Sequence, residues 1–417
     1  VSQPGEEARV KAHAIHDFTA KLRQPGLAGQ LSKYIAWRRR LSQARADGEP
    51  EPPPPALAPV SINLDLTTAC NYRCTHCIDW DILNTKHKYK EEELKDSLRL
   101  MAERGLRSVI LIGGGEPTLY PRFADFVAFL KELELQVAIV SNGSRGDVLA
   151  DAAAHMDERD WIRLSLDSGS NELFVKMHRP TGRDVDLDSI CASIPKIKER
   201  NPSVRVGFSY IIVWGGASRD DEKLCENIDE IVMATERAKN AGFDYIGFKP
   251  VLERRPDGAE VMDPEKTESE LDRVVARIRT EVDRAKEFAD DDFDVYESIN
   301  LRLLEDGSWR QFTKQPQTCH MQALRQVLTP TGLYNCPAHR GVEKARIGGP
   351  DAYRDAHNAG ETGDGLKLIL DRFDASQECR EVTCLYNSVN WWLEKLIADP
   401  ELAPEAELGD ERFDYFL

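Results

Sequence analysis

The chain has 417 residues, enough for one large core with a smaller companion, and its 72 acidic against 55 basic residues give a formal charge of -17. That balance excludes a surface built to grip phosphate backbones or anionic lipid, so neither nucleic acid nor a membrane is expected as a partner. Nine cysteines is an odd count, and with no apolar run near the roughly 18 residues of a membrane span and no basic-then-apolar leader pattern, it favours metal or redox chemistry in the cytoplasm over a disulfide framework.

Residues 1 to about 48 read as polar and helical, and the basic run WRRRL, Trp37 to Leu41, is too short to alter the charge argument. GEPEPPPPALAP, Gly48 to Pro59, then reads as a stiff extended linker, because consecutive prolines block helix and ladder pairing. We therefore expect an N-terminal helical extension with linker over 1–58. Apolar, β-rich runs follow at 61–66, 108–113, 136–141, 161–166, 204–213 and 245–251, separated by segments of helical period such as 91–105 and 224–242. Strands alternating with crossovers predict an α/β fold, a partial (β/α)6 TIM-like barrel over 59–300 with its chemistry at the C-terminal strand ends. A charged helix from about Lys266 to Ala289 closes that region. From 301 to 417 the texture changes to short strands, turns and four cysteines, Cys319, Cys336, Cys379 and Cys384, with LTPTGLYN predicting a hairpin around Gly332.

Three more cysteines, Cys70, Cys74 and Cys77, follow the first strand as CxxxCxxC. That spacing lets one loop reach three corners of an iron–sulfur cubane and leaves the fourth iron open for a substrate or cosubstrate. A structural zinc site completed by His76 is the alternative that spacing leaves open. GGGEP after the second strand, SNG at Ser141 to Gly143 and SLDS at Ser165 to Ser168 occupy successive strand ends, where ordinary turn chemistry also favours such residues.

The ordered set from about Val60 to Val251 resembles the radical S-adenosylmethionine (radical SAM) enzymes. The resemblance implies a 4Fe–4S cluster on Cys70, Cys74 and Cys77, with His76 where the family usually has an aromatic residue. It implies S-adenosyl-L-methionine bound by Gly114, Gly115 and Glu116, by Ser141 and Asn142, and by Ser165 and Asp167. Cys319, Cys336, Cys379 and Cys384 are similar to the twitch or SPASM modules of these enzymes, which implies a second, auxiliary 4Fe–4S cluster. Its late pair is more widely spaced than usual, zinc is an alternative there too, and His320 or His339 are substitute ligands. Reduction by a flavodoxin or ferredoxin is expected from the family only.

If the resemblance holds, a 5′-deoxyadenosyl radical takes a hydrogen atom from substrate, and an auxiliary acceptor favours net oxidation. A base is then needed, and Lys249, Glu253, Tyr210 and His178 are the candidates. Trp214 and Phe248 are pocket walls or core, and Cys191 and Cys225 read as buried inert thiols. The segment before Pro52 is shorter and more helical than the winged leader-binding domain of peptide-modifying members. The expectation is therefore a small polar metabolite, a sugar or aminocyclitol, oxidised as by a dehydrogenase. A peptide-modifying maturase and a non-catalytic iron–sulfur or zinc protein are the alternatives.

Overall fold

The computed structural model describes residues 17–182, 185–219, 222–255, 258–262 and 270–417. The six expected strands form: β1 Ser61–Leu64, β2 Ser108–Leu111, β3 Gln136–Ser141, β4 Trp161–Ser165, β5 Arg205–Ile212 and β6 Tyr245–Pro250. Four further strands join them: β7 Asp294–Glu297, β8 Arg325–Thr329, β9 Gly332–Tyr334 and β10 Arg346–Gly348. The sheet order is β7-β6-β5-β4-β3-β2-β1-β8-β9-β10. From β7 through β8 all neighbours are parallel, and the hairpin expected at Gly332 adds β9 and β10 antiparallel at one edge. The edges do not meet, so the barrel is partial.

β8 lies directly beside β1, Ser61 opposite Arg325, so one sheet runs through residue 300. Residues 266–269 of the expected closing helix lie outside the described residues. Its described part is α3, Leu271–Lys286; α1, Pro25–Asp47, and α2, Asn171–His178, precede it in the chain and α4, Asn387–Ala398, follows it. No helix among the described residues is long and apolar enough to cross a membrane.

Alternation decides which side chains reach the concave interior. Ile162 and Leu164 of β4, Val206, Phe208, Tyr210 and Ile212 of β5, and Ile246 and Phe248 of β6 pack outward into the helix-covered core. Trp161, Arg163 and Ser165, Gly207, Ser209 and Ile211, and Tyr245, Gly247 and Lys249 occupy the opposite, interior face.

The segment 409–417 closes the interior at the N-terminal strand ends. Phe416 packs with Ile110 and Ala138, its ring centroid 5.5 Å from that of Trp161. Ser108 Oγ donates to Tyr415 O at 2.7 Å, and Lys21 Nζ donates to Phe416 O at 2.7 Å. We expect Phe416→Ala to lower stability by about 3–5 kcal/mol, the usual range for emptying a buried phenyl site. An unchanged urea midpoint would show that the ring does not close the floor.

From residue 17 to Asp47 the N-terminal extension is helical but not a polar appendage. Leu27, Leu31, Tyr34, Ile35 and Leu41 make one apolar stripe of α1 that packs on Val389, Leu393 and Leu396 of α4. The basic run acts locally, since Arg39 Nη2 donates to Leu396 O, to Asp399 O at 2.7 Å and to Leu402 O at 2.7 Å, capping carbonyls at the end of α4.

Candidate active site

The cysteine loop leaves the C-terminal end of β1 and is pinned on three sides. Within itself, Asn84 N donates to Thr68 O at 2.6 Å and Cys70 N to Asn84 Oδ1 at 3.2 Å. Toward α2, Thr75 N donates to Met177 O at 2.8 Å and Arg73 N to His178 O at 3.1 Å, so the loop satisfies carbonyls that a helix end leaves open. Toward β3, Asn142 Nδ2 donates to Asn71 Oδ1 and Asn71 Nδ2 to Ser144 Oγ, both at 2.9 Å.

Cys70, Cys74 and Cys77 are free thiols. Burial raises all three; mutual repulsion adds to it at Cys74, which also feels Asp167, and Cys77 is pushed up to about 12. A site that opposes bare thiolates so strongly suits an electropositive metal centre. Among the described residues neither cysteine set has three ligand atoms all within 4.8 Å of one another.

The one group that does close to 4.8 Å is His76, Asp167 and His178. It is an internal tie. His76 Nε2 is 2.9 Å from Asp167 Oδ2, while Asp167 Oδ1 accepts from Ile211 N at 2.6 Å. Burial opposes the charge of Asp167, but its hydrogen bond to His76 and the two imidazoles hold the carboxyl below its ordinary range. His178 Nε2 lies 2.9 Å from Leu166 O and so carries the proton, which leaves Nδ1 facing Cys74 Sγ at 3.3 Å. Burial lowers His178 to about 4, keeping the ring neutral.

Glu116 and Asp167, expected to touch the cosubstrate, are each bonded within the protein. Glu116 Oε1 accepts from Thr118 N at 3.0 Å, Thr118 Oγ1 at 2.6 Å and Ser141 Oγ at 2.8 Å, and Oε2 from Asn142 N at 2.7 Å. These bonds occupy Ser141 as well and lock the ends of β2 and β3 together. Gly114 takes a φ of 66°, and a Cβ at Gly115 would stand 2.4 Å from Ala69 O, so glycine here lets the cysteine loop lie against the strand end. Ser165 faces the interior at the end of β4, opposite Ser209.

Of the four base candidates, two are displaced by geometry. Tyr210 is fully buried and its hydroxyl donates to Asn227 O at 2.6 Å, because it shares the register of Val206, Phe208 and Ile212 on β5 and points into the outer core. His178 is enclosed behind Cys74 as described. Trp214 and Phe248 are core. Glu253 lines a narrow cleft of about 40 Å³ with His76, Cys77, Trp80, Arg219 and Arg254, and Lys249 projects into the interior.

The second cysteine set also converges. Cys319, Cys336 and Cys384 each raise the thiol of Cys379, beyond the effect of burial, and Cys319 does so at Cys336, which reaches about 12. Asn390 Nδ2 donates to Cys319 Sγ at 3.4 Å. His320 is withdrawn from the ligand set, since Nδ1 meets Tyr34 Oη at 2.8 Å and Nε2 meets Glu394 at 3.2 Å. His339 is buried edge-on to Phe373.

Between the two sets sits Arg340, which sequence reasoning missed. Its Nη1 lies 2.8 Å from both Asp79 oxygens, two residues beyond Cys77, and its Nε 3.0 Å from Asp65 Oδ2 at the end of β1. A Cβ at Gly113, φ 87°, would stand 2.6 Å from the guanidinium.

Residues 64–231 match the model of the radical SAM superfamily. That segment carries a radical SAM domain. A radical SAM relative, an S-adenosylmethionine-dependent nucleotide dehydratase of Thermoplasmatales archaeon (strain ISO4-H5), is 38% identical over 169 residues, 40% of this chain and 58% of the relative. A probable GTP 3′,8-cyclase of Thermococcus kodakarensis is 27% identical over 157 residues, 37% of this chain and 50% of the relative. The chain thus spans about half the length of the curated relatives it matches. Among solved structures, native anSMEcpe with bound AdoMet has the same fold, TM-score 0.50 at 13% identity, covering 82% of this chain and 98% of that one.

Proposed function

We propose that this radical SAM chain is an oxidising enzyme for a small polar metabolite, built as an N-terminal extension, a barrel and a C-terminal twitch/SPASM-like module carrying an auxiliary cluster. The observation that carries the reading is that four further cysteines draw together, Cys319, Cys336 and Cys384 each acting on the Cys379 thiol. When bound, a 4Fe–4S cluster on Cys70, Cys74 and Cys77 supplies the electron that splits S-adenosyl-L-methionine to methionine and a hydrogen-abstracting 5′-deoxyadenosyl radical, and a second on Cys319, Cys336, Cys379 and Cys384 supplies an electron acceptor.

The remaining roles fall to side chains. Glu116 and Asp167 position the strand ends and the cysteine loop. Ser165 and the backbone of Gly114 offer contacts to the cosubstrate. The Phe416 floor keeps water and stray hydrogen donors out of the interior from below. Glu253, on the cleft that also borders Cys77, is placed to take the proton that the oxidised substrate loses. The names of the two curated relatives, which act on nucleotides, favour a metabolite over a peptide. An external one-electron donor of the flavodoxin or ferredoxin kind is required.

Anaerobic reconstitution tests this. We expect about eight irons per chain, four for each set, and release of 5′-deoxyadenosine with dithionite and S-adenosylmethionine. Cys379→Ser is expected to retain that release and about four irons while losing oxidised product. Normal turnover by this variant would refute the acceptor role, and zinc in place of iron at either set would refute that set's assignment.

A further inference from the structure

The barrel interior holds two cations for which the proposed chemistry has no use. Arg163 on β4 and Lys249 on β6 lie on the interior face with only β5 between their strands. Neither has a hydrogen bond or ion pair among the described residues. The Nε of Arg163 is buried without a partner, and its guanidinium rests 5.1 Å from the centroid of Trp161. In native interiors a guanidinium is ordinarily met by an acceptor, so two unmet cations in one space point to a ligand that brings the acceptors.

The space is there. Opposite Arg163 stand Gly207 and then Tyr245, and opposite Ser165 stand Ser209 and then Gly247, so β5 presents only small side chains at these levels and β6 is open at the upper one. A Cβ built at Gly247 would meet no atom closer than 4.0 Å. At Gly207 the ring of Tyr245 fills the corresponding room, a Cβ there falling 2.0 Å from it, which makes Tyr245 the lower wall. Arg163 lies two residues below Ser165, about 7 Å deeper along the strand, beneath the level of the cysteine loop.

The geometry points to a subsite in which Arg163 and Lys249 hold an anionic group of the substrate, a phosphate or a carboxylate, over the open floor at Gly247. This deepens the substrate side of the proposed function and rests on it. Burial and the nearby Arg163 push the Lys249 ammonium well down, with Asp167 opposing. The same neighbour argues against Lys249 as the base, because a proton gained there faces the guanidinium unless an anion accompanies it. The planar fork of Arg163 suits two oxygens of one group, and Lys249 adds a point charge from the next strand but one.

Calorimetric titration of the anaerobically reconstituted protein with inorganic pyrophosphate and, separately, with malonate tests the subsite and tells the two anion classes apart. We expect one of them to bind one to one, Arg163→Gln and Lys249→Met each to weaken it roughly tenfold or more, and the charge-keeping pair Arg163→Lys with Lys249→Arg to retain most of it. Gly247→Val, which suits a strand and fills the open space, should weaken binding without removing a charge. Binding of neither anion, or binding undiminished in both Lys249→Met and Gly247→Val, overturns the proposal. Release of 5′-deoxyadenosine by the unaltered protein is scored separately, so a missing subsite is not confused with missing radical chemistry.

Discussion

Cys74→Ala is expected to abolish release of 5′-deoxyadenosine, a fall of more than the roughly 10–100-fold that losing an outer-shell partner of a metal site costs. Cys74 is the middle thiol of the three, and as a bare thiolate it is opposed by burial, then by Cys77, Cys70 and Asp167. Its sulfur is set by a chain of contacts: Leu166 O fixes the proton on His178 Nε2, and Nδ1 then faces the sulfur at 3.3 Å. Alanine leaves two thiols on the loop, too few for a site-differentiated cluster. The comparison variant is Cys191→Ala, whose thiol is buried in the core on Leu187–Cys191 and should leave release unchanged. Release close to the unaltered level from Cys74→Ala, measured chromatographically after dithionite reduction, would remove the assignment of this loop.

The second large effect is expected from Arg340→Met. Arg340 is 5% exposed and is the counter-charge for Asp65, Asp79 and, at longer range, Glu260. Removing one partner of such a buried set typically costs about 3–5 kcal/mol, because the carboxylates left behind have lost their cation and not regained water. The loss should depend on pH with a definite sign. Burial already raises Asp65 to about 8 and Glu260 to about 7, each opposed by Arg340. A carboxyl whose folded pKa stands above its unfolded value favours folding while protonated and loses that contribution as pH rises toward and through the folded value. The variant should therefore be hurt most near about pH 8.5 and least near about pH 5.5, read as the difference in urea midpoint from the unaltered chain at each pH. A penalty that grows toward acid would show that the guanidinium does not neutralise these groups.

Much of the frame is legible in the residues themselves. The six strands from 61 to 251 carry uninterrupted or alternating apolar runs, and the glycine turn at 332 announces its hairpin. β7 was not legible, since Asp294 to Glu297 carries charge at both ends and becomes a strand only by lying beside β6, Asp294 opposite Tyr245. The docking of β8 on β1 was not legible either, because pairing across so long a separation in sequence leaves no local mark. α1 read as polar because its apolar stripe is diluted by lysines and arginines on the other face.

At the site, residue types were easier to find than their roles. Glu116 and Asp167 stand where the family pattern puts them, yet the direction of each carboxylate is set by donors on other strands, which no spacing reveals. Tyr210 and Lys249 look alike in sequence, both near strand ends, and register sends one outward and the other inward. Arg163 was findable, because in WIRLSL it stands on the face opposite Ile162 and Leu164, where a charged side chain needs a reason.

The seal at the bottom of the barrel bears on the order of assembly. Ile110, Ala138 and Trp161 leave the ribosome long before Phe416, and β1 must wait in the same way for β8. During synthesis the nascent sheet therefore has an open floor and an unpaired flank, the condition in which edge-to-edge association competes with folding. Anything that delays docking of 409–417 prolongs that state, so Phe416→Ala should lower the soluble yield on expression as well as stability.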